Sequence, residues 1–451
     1  MTMRIMFINA INPFLEVQYR FPQLGLGYLA ASLRKHFEDI QIRIVDRDAE
    51  KELDEYKPDI VGITAVSQNY GYAKQYAKLA KRRLVPVIIG GIHISALPQT
   101  MTEDMDYAVM GEGEETIVEL VDALAIHRPL KHIKGIVYRD GGGSLNLTQP
   151  REFIEPLDSI PFPARDLLKT GRFGNIFSSR GCPYTCAFCA STRYWNKLRF
   201  FSAEYVVAEI KEMVEKYGAK RISFYDDLMI ADKKRLEKMV DLIQREPVLN
   251  KIKFGINARA NLITDHTAQI LKAMHVTSVG MGLESGNERT LRYLKGGSVS
   301  VDDNYNAVKT LHRYGIAANA SFIIGSPDET REEILDTLKF IKTSGLNFVD
   351  TFFLTPLPGT PVWEEAKRRG LVSDDMDWNR LNIYHAKDPI IMSERIGRDE
   401  LLKLHRRFET ARLQIAARTA WTHPLFPAMV KAGMANVANA FRRATCSPQC
   451  Q

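Results

Sequence analysis

The sequence predicts an α/β protein: a doubly wound sheet, then a barrel or partial barrel of βα units, then a helical, basic C-terminal region. Three observations carry this. Over residues 1–135, short apolar runs alternate with helical patterns, the signature of a parallel, doubly wound sheet. Over 171–370 the alternation recurs six times, as in βα barrels. From 371 to 451 the rhythm stops and basic residues accumulate. Residues 136–170, with the Gly-rich "RDGGGSLNLTQP" overlapping their start and the Pro-rich "PLDSIPFPARDLL" their end, read as the connector.

In the first region the strand candidates are "RIMFINA" (4–10), "IQIRIVD" (40–46), "DIVGITAV" (59–66), "VPVIIGG" (85–91) and a short run opening "DYAVMGEGEE". Helices are expected at 28–37, 72–83 and after Gly113. Ligands of such sheets sit outside the carboxyl ends of the strands. Those ends carry "AINP", "AVSQN", "GGIH" and "GEGEE", all small or polar. In the second region the strands are "NIFSS" (175–179), "RISFYDD" (221–227), "KFGINAR" (253–259), "SVGMGLE" (278–284), "NASFIIG" (319–325) and "NFVDTFF" (347–353), each followed by a helical pattern. Their carboxyl ends gather the unusual residues on one face, where barrel chemistry is placed.

Composition narrows the class. At 451 residues, 45% hydrophobic and 25% charged, the chain suits two or three globular domains. No apolar run is long enough to span a membrane, and "MTMRIMFINA" is no secretory signal. Five cysteines make no disulfide framework, so a cytoplasmic location is expected. The net charge of +7 is carried by residues 401–451 alone, which argues against a nucleic-acid partner. Residues 397–421 read as a long helix and 424–444 as an amphipathic segment. The tail is either a helix packed on the barrel or a peripheral contact with an anionic inner membrane face or a lipid-like substrate. Cys446 and Cys450 read as terminal thiols or ligands of an extra cluster.

The strongest motif is "RGCPYTCAFCA". Cys182, Cys186 and Cys189 have the spacing C-x3-C-x2-C, which can wrap three corners of a [4Fe–4S] cluster and leave the fourth iron open. Two other readings are three inert core thiols and a zinc site completed by a distant ligand.

This loop resembles that of the radical S-adenosylmethionine (SAM) enzymes. "FYDDLM" (224–229), "GLESGNERTL" (282–291), "FIIGSPDET" (322–330) and "TPLPGTP" (355–361) are similar to the later strand-end motifs of the subgroup with an N-terminal cobalamin-binding domain. "PQLGLGYLAASL" (22–33), "GGIHISALP" (90–98) and "GEGEETIVELV" (111–121) resemble that domain's own motifs. The resemblance implies a Rossmann-like cobalamin-binding domain, a (β/α)6 partial TIM barrel and three cofactors: the cluster, SAM and cobalamin. It implies that Cys182, Cys186 and Cys189 hold the cluster and that SAM chelates the open iron. Phe188 would place its backbone near the adenine, Gly325 would let the chain approach the adenosine, and Asp227, Arg259 and Glu284 would contact SAM or substrate. Asp226 and Asp227 could instead cap the following helix, Arg259 and Glu284 could form a buried ion pair, and Gly286, Gly325 and Gly359 read more as turn glycines than as ligand contacts.

Leu24, Gly25, Ser67, Gly90, Gly91, His93, Gly111, Glu112 and Gly113 would surround the corrin. The family's Asp-x-His-x-x-Gly cobalt-ligand pattern is absent. His93, at a strand end, is read as a loop residue bonded to backbone, with cobalt ligation as the alternative. The implied activity is methylation of an unactivated carbon: SAM methylates cobalamin, and a second SAM yields the 5′-deoxyadenosyl radical that activates the substrate. Alternatives are a radical oxidative cyclase resembling the anaerobic magnesium-protoporphyrin ester cyclase, and a non-catalytic cluster and corrinoid sensor. A small-molecule substrate and an electron donor such as flavodoxin or ferredoxin complete the expected partners.

Overall fold

The computed structural model describes residues 2–12, 22–168, 172–384 and 388–419. Two sheets organise it. The first joins β1 (Met3–Asn9), β2 (Ile40–Val45), β3 (Ile60–Thr64), β4 (Val87–Gly90), β5 (Tyr107–Val109), β6 (Ile136–Arg139) and β7 (Leu145–Leu147) in the order β2-β1-β3-β4-β5-β6-β7. The first five run parallel, and β6 and β7 add antiparallel. The Gly-rich hairpin read from sequence as connector therefore closes the edge of this sheet.

Alternation along β1 sorts the two faces. Ile5 and Phe7 pack with Leu26, Leu33, Ile117 and Leu120 of helices Leu24–His36 and Glu114–Ala125. Met6 and Ile8 pack with Leu53, Ala73 and Ala77 of helices Ala49–Tyr56 and Tyr70–Lys81. Both faces are covered, as a parallel sheet requires.

A two-stranded ladder, β9 (Ser179–Arg180) with β10 (Arg199–Phe200), follows β8 (Phe173–Ile176). The second sheet is β8 with β11 (Arg221–Phe224), β12 (Lys253–Ala258), β13 (Val276–Glu284), β14 (Ala317–Ile324) and β15 (Phe348–Phe353), in the order β15-β14-β13-β12-β11-β8, all parallel. Among the described residues β8 and β15 do not pair, so this is the expected six-stranded partial barrel. Its helices start where the sequence signals a start: Ser300 and Thr330 close capping boxes with Asp303 and Glu333. The helix Glu288–Lys295, inside the "GNERTL" motif, is one that periodicity did not reveal.

The segment after β15 ties the domains together. Trp363 and Trp378 are buried and stacked, with ring centroids 6.0 Å apart, and they pack in the same core as Tyr70 and Ala73 of the first domain. Helix Arg398–Thr419 lays Leu401, Leu404, Phe408, Ala411 and Ile415 into the barrel core, and His405 Nε2 meets the Thr351 carbonyl of β15 at 3.0 Å. This part of the tail is thus a helix packed on the barrel. The amphipathic segment 424–444 and Cys446 and Cys450 lie outside the described residues. No helix among the described residues is long and apolar enough to cross a membrane.

Candidate active site

Residues 181–198 form the loop that the β9–β10 ladder closes, and the three cysteines sit in it. Gly181 has φ +91°, and a Cβ there would stand 2.7 Å from the Trp195 carbonyl oxygen and closer still to that of Lys197. Only glycine fits this approach. The Cys182 amide donates to Trp195 O at 3.0 Å, and the Ala187 amide to Leu294 O at 2.9 Å, so the loop is held at the start of its cysteine run and again between its second and third cysteines.

All three thiols line one chamber of about 450 Å³ at the carboxyl face of the barrel. Burial raises the Cys182 thiol and pushes Cys189 up to about 11. An iron cluster would offset that penalty by taking the thiolates as ligands. Arg259, at the end of β12, points Nη1 at Cys186 Sγ (3.5 Å), stacks over the Tyr184 ring at 3.8 Å and donates to Ser298 Oγ. It is the guanidinium such an anionic cluster would meet. Among the described residues no three His, Cys, Asp or Glu side chains converge closely enough to share one metal ion.

Phe188, Asp227 and Glu284 line the same chamber. The two aspartates after β11 do not cap a helix; Asp232 caps helix Lys233–Arg245. Asp226 accepts from the Ser178 amide (2.8 Å) and from the Ser178 and Ser179 hydroxyls (2.6 Å each), pinning the ladder to the barrel. Asp227 accepts from Ser191 Oγ at 2.5 Å, and burial raises its carboxyl. Glu284 ends β13 at φ +64°, a strained backbone for a non-glycine residue. Its ion partner is Lys295 at 3.9 Å, not Arg259, and burial raises its carboxyl while the two cations oppose that. Gly280 and Gly282 of β13 line the chamber with Asn257, Asn319, Ser321 and Asp350, and the missing side chains leave room for the Asn257 amide and the Glu284 carboxylate. Burial raises Asp350, which faces Arg412 and Glu409 of the C-terminal helix, and Asn319 Oδ1 has no hydrogen-bond partner among the described residues.

A second chamber of about 350 Å³ opens over the carboxyl ends of the first sheet. Gly25, Gly90, Gly91, Gly111, Glu112 and Gly113 line it, and Phe7, Ile63, Ile88 and Ile117 make its floor apolar. Small rims over an apolar floor suit a flat macrocycle. The two chambers share Tyr225 and Asp227 as a common wall.

Four expectations are corrected here. Leu24 turns away from the chamber into the barrel-side core. Ser67 is buried in the turn Ser67–Asn69 and does not line the chamber. His93 starts a helical turn that carries its ring inward, where it stacks on Tyr70 (3.8 Å) and packs edge-on to Trp378 (4.5 Å), with Nε2 3.1 Å from Thr100 Oγ1. Burial pushes its pKa down to about 3, so it is a neutral core histidine. Gly325 lies outside the cysteine-lined chamber: its φ is +82°, and a Cβ there would meet Leu401 at 2.9 Å, so it makes room for the C-terminal helix.

Glu112 is not free to hold a cofactor. Burial works to raise its carboxyl, but Arg199, Arg180 and the Ile154 amide together hold it below the ordinary range. Sequence reasoning also passed over Arg180, Ser191, Tyr225, Lys295 and Asp350. Ser191 and Arg180 flank the cysteine motif and Tyr225 precedes Asp227, so adjacency could have flagged those three; nothing local marks the other two.

Comparison with known proteins adds the family. Residues 14–121 match the B12 binding domain and residues 176–341 the radical SAM superfamily. The uncharacterized methyltransferase PH0819 of Pyrococcus horikoshii is 36% identical over 407 residues, 86% of each chain. The anaerobic magnesium-protoporphyrin IX monomethyl ester cyclase of Cereibacter sphaeroides is 27% identical over 435 residues, covering 89% of this chain and 68% of its own. The fold is shared with the radical SAM methyltransferase TsrM from Kitasatospora setae, in a structure with cobalamin and a [4Fe-4S] cluster bound: TM-score 0.70 at 20% identity, over 82% of this chain and 79% of that one.

Proposed function

Because the chain belongs to the radical SAM family that carries an N-terminal B12-binding domain, we propose that it is a cobalamin-dependent radical SAM methyltransferase acting on an unactivated carbon of a polar small molecule. The cofactors are a [4Fe–4S] cluster, SAM and cobalamin. When bound, the cluster and SAM supply a carbon-centred radical and the corrinoid supplies a methyl group. One observation carries the proposal: the cluster-side and corrin-side chambers share the wall formed by Tyr225 and Asp227. A substrate at that wall could be activated from one side and methylated from the other.

In this reading Cys182, Cys186 and Cys189 hold the cluster, and Arg259 offsets its charge. Phe188, Asp227, Glu284 and Lys295 bind and orient SAM. Gly25, Gly90, Gly91, Gly111 and Gly113 admit the corrin, and no histidine among the described residues lines their chamber. Asn257, Asn319, Ser321 and Asp350 offer the substrate hydrogen-bond acceptors within the same chamber, which suits a polar head more than a purely apolar lipid. A reductant is required, and a flavodoxin or ferredoxin is the proposed donor. Contact of the basic tail with an anionic membrane surface is a proposal that rests on its composition alone.

The test is anaerobic incubation of reconstituted protein with methyl-labelled SAM, reductant and host extract, read by mass spectrometry. A labelled product heavier by one methylene unit is expected. A ring-closed, unlabelled product would point to the cyclase chemistry of the 27% relative. Absence of any 5′-deoxyadenosine or labelled product would refute an enzyme and leave a cluster and corrinoid sensor.

A further inference from the structure

We propose that Glu112 couples the two metal cofactors, so that cobalamin binding and cluster assembly favour each other. Glu112 lines the corrin-side chamber, and its carboxylate ties down the ladder that closes the cysteine loop. Gly111, Glu112 and Gly113 line the corrin-side chamber. The side chain reaches across the domain boundary and is fully engaged: Arg180 Nη1 donates to Oε1 at 2.9 Å, Arg199 donates through Nη2 to Oε1 and through Nη1 to Oε2 at 2.9 Å each, and the Ile154 amide donates to Oε2 at 2.8 Å.

The two arginines are not arbitrary partners. Arg180 and Arg199 oppose each other in the β9–β10 ladder, and that ladder closes the loop holding all three cysteines. A ladder of two residues a side is marginal on its own. Here one buried carboxylate bridges its closing rung, with Arg199 also stacked 4.4 Å over Phe153 and Arg180 facing Tyr28. Ordering of residues 111–113 by a corrinoid would therefore hold the rung, and ordering of the loop by a cluster would hold residues 111–113. Linkage makes such coupling reciprocal. Glu114 is the comparison: it lines the same chamber and meets Arg180 at 2.5 Å, but among the described residues no hydrogen bond joins it to Arg199, so it lacks the bridge across the rung. The inference needs both cofactors to bind but does not depend on methyl transfer.

The experiment measures the Kd of hydroxocobalamin by anaerobic equilibrium dialysis, in full-length protein with its cluster and in the same protein after the iron is chelated. The natural protein is expected to bind about fivefold or more tightly with the cluster present, the lower end of ordinary coupling. Glu112→Gln should bring that ratio below about twofold, while Glu114→Gln keeps most of it. A purely structural role would weaken both affinities alike and leave the ratio unchanged. Arg199→Lys, which keeps the charge but not the fork, replaces Glu112→Gln if the latter does not fold, and should lower the ratio in the same way. Equal affinities with and without the cluster in the natural protein overturn the proposal. So does an undiminished ratio in the Glu112 or Arg199 variant, or a loss in Glu114→Gln as complete as theirs.

Discussion

Replacing Gly181 by alanine is the sharpest perturbation of the cysteine loop. The backbone at φ +91° costs a residue with a Cβ ~1–3 kcal/mol. The added methyl also meets two carbonyl oxygens, of Lys197 and Trp195, which are backbone and cannot swing aside; overpacking of this kind costs ~1–3 kcal/mol more. The loop base is therefore weakened by ~2–6 kcal/mol. Gly218→Ala is the matched control: it has φ +66° and nothing within 4 Å of its Cβ, so it should cost only ~1–2 kcal/mol. The assay is hydrogen exchange over residues 181–200, with iron and sulfide content alongside. At 1.4 kcal/mol per tenfold, protection of the Cys182 amide should fall ~30-fold or more in G181A, with most of the cluster lost, and stay near the natural value in G218A. A G181A protein that keeps about four irons per chain and undiminished loop protection would refute the argument that this glycine sets the loop.

Three further outcomes are expected. His93 is neutral in the fold because burial, with Lys74 second, pushes its pKa down to about 3 from 6.5; the unfolded chain takes a proton below pH 6.5 that the folded chain refuses, so stability is full above that pH and falls as pH drops, by roughly 2 kcal/mol at pH 5. Denaturant titrations should show His93→Gln lacking that fall, and its bound-corrinoid spectrum should match the natural protein's; a large spectral shift would mean cobalt ligation. Asp350→Asn should leave uncoupled 5′-deoxyadenosine release within about threefold and cut labelled-product formation about tenfold or more, the scale of a lost charge-assisted hydrogen bond; equal losses in both would place Asp350 on SAM instead. Truncation after Ala420 should abolish sedimentation with anionic vesicles at low salt, since each basic residue near such a surface contributes about 1 kcal/mol, and cluster content should be unchanged; failure of the full-length chain to sediment would rule out the membrane contact.

The alternation of apolar runs and helical patterns placed the parallel strands of both sheets, because parallel strands buried on both faces leave dense local signals; the antiparallel pair β6 and β7 was read as connector. The cysteine spacing was equally legible. What stayed hidden is pairing across long separations. Glu112 and Arg199 are 87 residues apart, and Arg165 and Glu209, a fully buried pair, are 44 apart; neither shows a local pattern. Strand-end position alone misjudged His93 and Gly325. It says that a residue stands at the functional face but not which way the chain turns next, and in both cases that turn carried the residue into packing with segments beyond β15.

The helix Arg398–Thr419 covers β15, the last strand of the barrel, and this has a consequence for synthesis. Forty-four residues separate Phe353 from Arg398. At ordinary rates of translation the ribosome needs about 2–9 s to make them. Through that interval an apolar strand edge waits without its cover, a template for pairing with another nascent chain. Iron inserted early would meet a barrel still open on that side. A chain stalled before residue 398 should thus need a chaperone most, although all three cysteines of the loop have already been made.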